Sequence, residues 1–496
     1  MVLVVQNRPK LGILTFSDGR RYAHERLIEE NKAFERRLRG ALEGAGVEVV
    51  TGELVWTNQL AAQEARRLAR EGCEATIFHY AIWAFPQFTA LAARFAPRPI
   101  LLFGPINPSR PGMVSVLAAA GALDQMGVRY RRVFGEIEEA EVLRRVVAWA
   151  RGAHAAYRLQ GETFGLFGGR PIGINTATAP VDQWVSQFGI DVEHVDQWEV
   201  VRRSQAFIGT DRVRHARQWL EEHVRKVHYD GQQLTPEKLE LQIASYHALR
   251  DIIDERGFDF IGIKSQPELT EHFVTTDVPE AFLNDPYDWE GPHDPIVCAT
   301  EADMDAALTM EVFKHVAGTP VLFADVRHYF ADLGIFDLVN SGQHATYFAG
   351  RSFEPEHNLP RVELKPQGFY FPAGGASVFH VAAPGDVTLA RLTREKGEYR
   401  MHIVRGEFVR LGPEDEARRI ALVQDNWPHA FVRLRVPAER FLAEFPCNHV
   451  HGVYGNVVAE LLEWCEITGT RPILLGDGDV PGSPITDTRQ QKGGRP

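Results

Sequence analysis

The sequence predicts an α/β protein in three parts. Two doubly wound α/β domains span residues 1–165 and 166–317, a β-rich, barrel-like domain spans 318–475, and a flexible tail follows at 476–496. Three observations carry this. Up to about residue 317, apolar strands without polar alternation are each followed by an amphipathic stretch, the mark of a parallel sheet covered on both faces. That rhythm starts twice, at "KLGILTF" and again at "GGRPIGINTATAP". Beyond "PVLFADVRHYF" helical periodicity thins and alternating strands take over.

In the first domain "KLGILTF" leads into the helical "ERLIEENKAFERRLRGALEGAG". Strands "VEVVTGELV", "ATIFHYAIWA", "RPILLFGPI" and "VRYRRVFG" alternate with helices such as "GMVSVLAAAGALDQMG". The second domain repeats the build through "IDVEHVDQ", helices at 211–226 and 235–257, and "FDFIGIKSQ". It closes with strand "PIVCAT" and helix "DMDAALTMEVFKHVAG". In the third, "DVTLARLTREKGEYRMHIVRGEFVRL" reads as a hairpin turning at "EKGE", and helices return at 437–445 and 456–467. The tail is polar and rich in Gly and Pro, a composition that does not bury a core.

With 54 basic and 66 acidic residues in 496, the net charge is −12, which argues against nucleic acid or an anionic membrane as the main partner. The opening "MVLVVQNRPK" reads as neither a signal peptide nor a membrane span. The four cysteines form no CxxC pair, so a reducing cytoplasm is the expected setting.

Three carboxylates, Glu301, Asp303 and Asp305, gather where "PIVCAT" hands over to a helix. Capping of that helix competes with a functional role for Glu301, and capping or solvent exposure is the expectation for Asp303 and Asp305. One helix later "PVLFAD" ends in Asp325, with Arg327 as its plain ionic partner. Read as a βαβ crossover, the spacing sets Glu301 and Asp325 side by side at strand carboxyl ends, where open α/β sheets bind ligands. Adjacent carboxylates need a cation, a shared proton or water.

"FPCNHVHGVYGN" places Asn448, His449 and His451 in an expected loop before a helix. One imidazole from it, joined to two carboxylates, suits Mn2+ or Mg2+ better than zinc. A buried histidine satisfied by backbone is the competing reading. "FSDGRRYAH" carries Asp18, Arg20 and Arg21 past the first strand, and "YAIWAF" carries Trp83, a core aromatic or a platform for a sugar face. No Walker loop, GxSxG elbow or HExxH is present.

Taken in order, "DGRR", "NPSRPGMV", "GGRPIG", "DPYDWEG", "CATEADMDAALTM", "FADVRHY" and "CNHVHGVYG" resemble the L-fucose isomerase family, a relative of the L-arabinose isomerases. The likeness runs from about residue 10 to 475. It implies two α/β domains and a β-rich third, a Mn2+ site (Mg2+ or Co2+ as alternatives), a sugar substrate and a homohexamer. The implied metal ligands are Glu301, Asp325 and His449, with His451 as the fallback, and Glu301 and Asp325 double as proton carriers. Arg20, Trp83, Gln266, Trp427 and Asn448 are the implied sugar contacts, the first two near a neighbouring subunit's metal. The chain departs from the family at Lys264 and Ala376, which leaves the preferred sugar open. Two alternatives stand beside this reading: an L-arabinose isomerase-like enzyme with a further ligand at His344 or His380, and a non-catalytic sugar-binding or regulatory protein.

Overall fold

The computed structural model describes residues 8–106, 108–368 and 370–476, so the expected tail from 477 onward and the opening "MVLVVQN" lie outside the described residues. The chain forms two compact units, one over Pro9–Ala150 and one built from Arg151–Val457 with Leu461–Gly476. No described helix is long and apolar enough to cross a membrane.

The first unit holds five parallel strands in the order Glu48–Thr51, Lys10–Thr15, Ala75–His79, Ile100–Gly104, Arg131–Phe134. The two central strands Ala75–His79 and Ile100–Gly104 are buried along their whole length, which is why their sequences carry no polar alternation. Strand order reverses between Lys10–Thr15 and Ala75–His79, the place where such sheets bind ligands. The segments after these two strands carry Arg20 and Trp83. They lie close together: a Cβ on Gly19 would come within 2.7 Å of the Phe85 ring, so only glycine permits the approach.

The second unit contains a four-stranded parallel sheet, Cys298–Thr300, Phe260–Ile263, Thr163–Phe167, Asp191–Val195. It also contains a seven-stranded sheet. Six of those strands follow one another as Gly385–Glu395, His449–Tyr454, Leu322–Phe330, Ile335–Val339, His429–Leu434 and Glu398–Phe408, and the last pairs back onto the first. The sheet is therefore closed, which removes its exposed edges. Arg471–Leu475 adds to Glu398–Phe408 in parallel. The expected hairpin turns at Lys396–Gly397, between Gly385–Glu395 and Glu398–Phe408.

Helix Met304–Ala317 joins the two sheets. It leaves Cys298–Thr300 and packs against barrel strands Gly385–Glu395 and His449–Tyr454. Nearly every residue of it is buried, including Asp305, Glu311 and His315, which take ionic partners. Asp303 caps it by accepting from the Ala306 N–H, and Gly318 ends it in the left-handed conformation (φ +67°).

Two expectations fail here. Asp325 does not end a parallel strand; it lies inside Leu322–Phe330, an antiparallel barrel strand, while Glu301 follows a strand of the other sheet. The βαβ crossover is absent because the apolar run "VLFA" continues as strand past the aspartate. Nor is "HVHGVY" a loop: His449–Tyr454 is a buried strand.

Alternation in the barrel sorts the two faces. Leu322, Ala324 and Val450 join the apolar core with Phe336, Leu338, Leu389 and Val432. Their neighbours Phe323, Asp325, His449 and His451 take the other face, with Asp325 directly opposite His449 and Phe323 opposite His451.

At its far end the helix is tied to the parallel sheet by ions. The His315 Nε2 lies 2.8 Å from Glu162 Oε1 and 3.2 Å from Glu311 Oε1, and Lys314 also pairs with Glu311. Burial works against charge on His315, but the two carboxylates outweigh it and raise its basicity. In the unfolded chain the imidazole titrates near about pH 6.5. Its stabilising contribution is thus complete below that pH and is lost as pH rises through the higher folded value.

Two outcomes follow for stability. Melting curves of His315→Gln and the unaltered protein should differ most below pH 6.5 and converge in alkali; a pH-independent gap would contradict the ion latch. A Cβ on Gly452, in the strand that carries both histidines, would crowd the Leu389 side chain and sit 2.9 Å from the Thr388 carbonyl. Gly452→Ala should lower denaturant stability by about 1–3 kcal/mol, and an unchanged midpoint would show that the strand has slack.

Candidate active site

The site within the second unit begins at a strained turn. Glu301 and Ala302 have φ of +58° and +48°, left-handed values that cost a non-glycine residue about 1–3 kcal/mol each. The turn stops strand Cys298–Thr300, sends the Ala302 N–H back to the Ile263 carbonyl, and starts helix Met304–Ala317. It aims Glu301 at the barrel. Glu301 Oε1 accepts from Gln266 Nε2 at 3.2 Å, and Oε2 lies 3.0 Å from His449 Nε2.

The barrel supplies the rest through register. Because Asp325 and His449 are cross-strand partners, Asp325 Oδ1 stands 3.5 Å from the same Nε2. Two amides steady the aspartate: Asn448 Nδ2 donates to Oδ1 at 3.1 Å and Asn340 Nδ2 to Oδ2 at 3.2 Å. Burial pushes the Asp325 carboxyl up, against the pull of His449 and with the added push of Glu301. Arg327 does not ion-pair with it among the described residues; the guanidinium sits 5.4 Å over the Trp427 ring instead.

On its other edge His449 meets Asp303, whose Oδ2 lies 2.6 Å from Nδ1. Burial works against charge on both groups. The facing carboxylates of Asp303 and Glu301 nevertheless raise the imidazole's basicity well above its usual value, and Arg391 with His449 holds Asp303 below the usual carboxylate range. His451 faces elsewhere: its Nε2 is 3.2 Å from Arg391 Nη1, and burial with that guanidinium keeps it neutral. The imidazole facing both carboxylates is His449.

Asp303 and Asp305 are not solvated. Asp303 is wholly buried against Arg391, and Asp305 is buried against Arg394 Nε (3.0 Å) and the Tyr399 hydroxyl (2.9 Å), its carboxyl pushed up to about 6 by burial.

Two further acids that sequence reasoning missed lie nearby, Glu280 within the field of Glu301 and Asp277 within that of Glu280. Glu280 accepts from Thr276 Oγ1 at 2.5 Å and is raised well above the carboxylate range, first by burial and then by Asp277 and Glu301. Asp277 accepts from Gln367 Nε2 at 2.6 Å and is pushed up to about 7 by burial. The same Gln367 accepts from Trp427 Nε1 at 2.8 Å, so Trp427 is buried and fixed against Val339 and Phe371.

Gln266, Glu301, Asp325, Asn448 and His449 are thus brought into contact, and Trp427 is tied to them through Gln367, Ser341 and Asn340. Arg20 and Trp83 belong to the first unit, where Arg20 pairs with Asp18 (Nη2–Oδ2, 2.5 Å) and Trp83 is half-buried. Lys264 is paired with Glu268 at 2.5 Å, and Ala376 is buried with its N–H on Gln242. His344 and His380 have rings 6.0 Å apart, and neither is bonded to Glu301 or Asp325 among the described residues.

Glu301 Oε2 and His449 Nε2 are both buried without a hydrogen-bond partner, and they face one another beside Asp325. Two carboxylate oxygens and one imidazole nitrogen fit a hard divalent cation. Among the described residues a more compact donor group is Glu162, Glu311 and His315, with ligand atoms all within 4.8 Å. Lys314 and His315 already balance its two negative charges, so it needs no cation to be stable. At His449 Nε2 the two carboxylates stand 3.0 and 3.5 Å away, with no arginine or lysine paired to either among the described residues.

Residues 8–161 match the domain family described as "L-fucose isomerase, first N-terminal domain", 254–318 the "second N-terminal domain" and 338–473 the "C-terminal domain" of the same enzyme. The L-fucose isomerase of Citrobacter koseri is 24% identical over an alignment of 526 positions, covering 90% of this chain and 88% of that protein. The L-fucose isomerase of Escherichia coli (strain HS) is 25% identical over 419 residues, covering 72% and 70%. The apo-structure of D-lactate dehydrogenase from Escherichia coli aligns over 62% of this chain and 94% of that one at 14% identity, but its TM-score of 0.17 carries no argument. With all three domains of one enzyme family represented in order and with the α/β, α/β, barrel architecture in place, the chain belongs to the L-fucose isomerase family and is an isomerase, not a sugar-binding module.

Proposed function

We propose that the protein is a metal-dependent aldose–ketose isomerase acting on open-chain sugars of the L-fucose and D-arabinose type through a cis-enediol. The observation that carries this is the convergence of Glu301 and Asp325 on the Nε2 of His449. We also divide the chain at 165 and 317 into three domains, a reading the family matches support. A cytoplasmic homohexamer belongs to the same proposal, by likeness to the family.

Isomerisation takes a proton from C2 of the aldose and returns one to C1, with a matching transfer between O1 and O2; carbon oxidation and reduction balance within the substrate, so no redox cofactor is needed. Glu301, Asp325 and His449 would hold a divalent cation, Mn2+ or else Mg2+ or Co2+, which when bound stabilises negative charge developing on the sugar oxygens. One of the two carboxylates carries the proton. Asn340 and Asn448 keep Asp325 turned toward the site, and Gln266 does the same for Glu301. Trp427, fixed by Gln367, excludes water and packs on the sugar carbons. Arg20 and Trp83, at their own sheet's switch point, would reach substrate in a neighbouring copy.

The decisive experiment is ketose formation followed by NMR on L-fucose, D-arabinose and L-arabinose. Glu301→Gln and Asp325→Asn should each cut turnover at least about a hundredfold while melting as the parent does; near-normal turnover by either would refute the assignment. Stripping metal should abolish conversion and added Mn2+ restore it, whereas full activity in metal-free protein would remove the cation from the account. A preference for L-arabinose would move the protein to the neighbouring family's chemistry.

A further inference from the structure

An imidazole has two ring nitrogens, and which one carries the proton is set by its neighbours. For His449 those neighbours are unusually well defined. Asp303 Oδ2 lies 2.6 Å from Nδ1, and both side chains are fully buried. A carboxylate accepts only, so the contact requires a proton on Nδ1. Asp303 is itself held by three other contacts. The Ala306 N–H donates to Oδ1 at 2.9 Å, and Arg391 Nη2 lies 3.0 Å from Oδ1 and 2.9 Å from Oδ2. Arg391 is fully buried too, and its remaining contacts are the Thr176 carbonyl (3.1 Å) and the Nε2 of His451 (3.2 Å).

We propose that Asp303 and Arg391 are positioning residues: Arg391 and the helix N-terminus orient the Asp303 carboxylate, which fixes the His449 proton on Nδ1 and leaves Nε2 as an acceptor between Glu301 and Asp325. This rests on the metal-centred reading above. The same hydrogen bonds turn the second imidazole away, because His451 spends its Nε2 lone pair on Arg391. One guanidinium thereby separates a ligating histidine from a structural one two residues along the same strand. The competing role for the pair is purely mechanical, an ion pair fastening a barrel strand to a helix.

Asp303→Asn separates the two. With its carbonyl oxygen kept at the Oδ1 position, on Ala306 N–H and Arg391, its NH2 group takes the Oδ2 position, gives up the second Arg391 contact and faces His449 Nδ1. That nitrogen then has to accept, the proton moves to Nε2, and the lone pair offered to the cation is lost. Calorimetric titration of Mn2+ into metal-stripped protein should show binding weakened about 10- to 100-fold, the range for outer partners of ligating histidines. Arg391→Gln should weaken it in the same direction. Adding Asp303→Asn to His449→Gln should cost nothing more, since both act through one nitrogen. Binding by Asp303→Asn within twofold of the parent, or additive losses in the double variant, would overturn the proposal. If Asp303→Asn does not fold, or if the parent takes up no Mn2+ and the metal-centred reading fails, neutron diffraction of the metal-free parent in alkaline crystals, where His449 is neutral, decides: a deuteron on Nδ1 with Nε2 bare supports the proposal, and a deuteron on Nε2 with Nδ1 bare overturns it.

Discussion

The site depends on one buried imidazole contacted from both edges. His449 Nδ1 faces Asp303, Nε2 faces Glu301 and Asp325, and the ring rests on Phe323 at 4.7 Å between centroids. These contacts arise from two different sheets. The parallel sheet provides Glu301 and Asp303 at the strained turn after its last strand, and the barrel provides Asp325 and His449 by direct cross-strand pairing. A slip of one residue in that pairing would exchange His449 for Val450 and bury an imidazole in the barrel's apolar core. Barrel closure guards the register, because every strand of the ring is held on both sides.

Charge is placed asymmetrically around this ring. Arg391 pairs with Asp303 and Arg394 with Asp305, and neither pairs with Glu301 or Asp325 among the described residues. Asp325 receives only neutral amides from Asn340 and Asn448, and Glu301 only that of Gln266. Two carboxylates held by neutral amides around one imidazole leave an excess of negative charge, which raises the imidazole's basicity. Glu280 and Asp277, raised by burial, avoid deepening that excess by tending to the neutral form. The arrangement suits a cation beside Glu301 and Asp325.

Much of this was legible in the sequence. Unalternating strands followed by helices marked the parallel sheets, and "EKGE" marked the hairpin. The likeness of "CATEADMDAALTM" and "CNHVHGVYG" to one family pointed to two acids and an imidazole that the fold brings together. What failed was non-local. Asp303 does cap its helix as expected, but the burial of Asp303 and Asp305 was not legible because their arginines come from 88 and 89 residues away, beyond any local pattern. Arg391 was passed over, although an arginine inside the apolar run Val387–Leu392 signals a buried partner. Asp325 looked like the end of a parallel strand because an apolar run cannot say which sheet it will join or whether it continues.

The central claim is that His449, Glu301 and Asp325 share one cation. Anomalous diffraction at the manganese edge, on crystals grown with Mn2+, tests it most directly. The account predicts a peak within bonding distance of His449 Nε2 and of a carboxylate oxygen from both Glu301 and Asp325. A peak at Glu162, Glu311 and His315 instead, or none at His449, would contradict it.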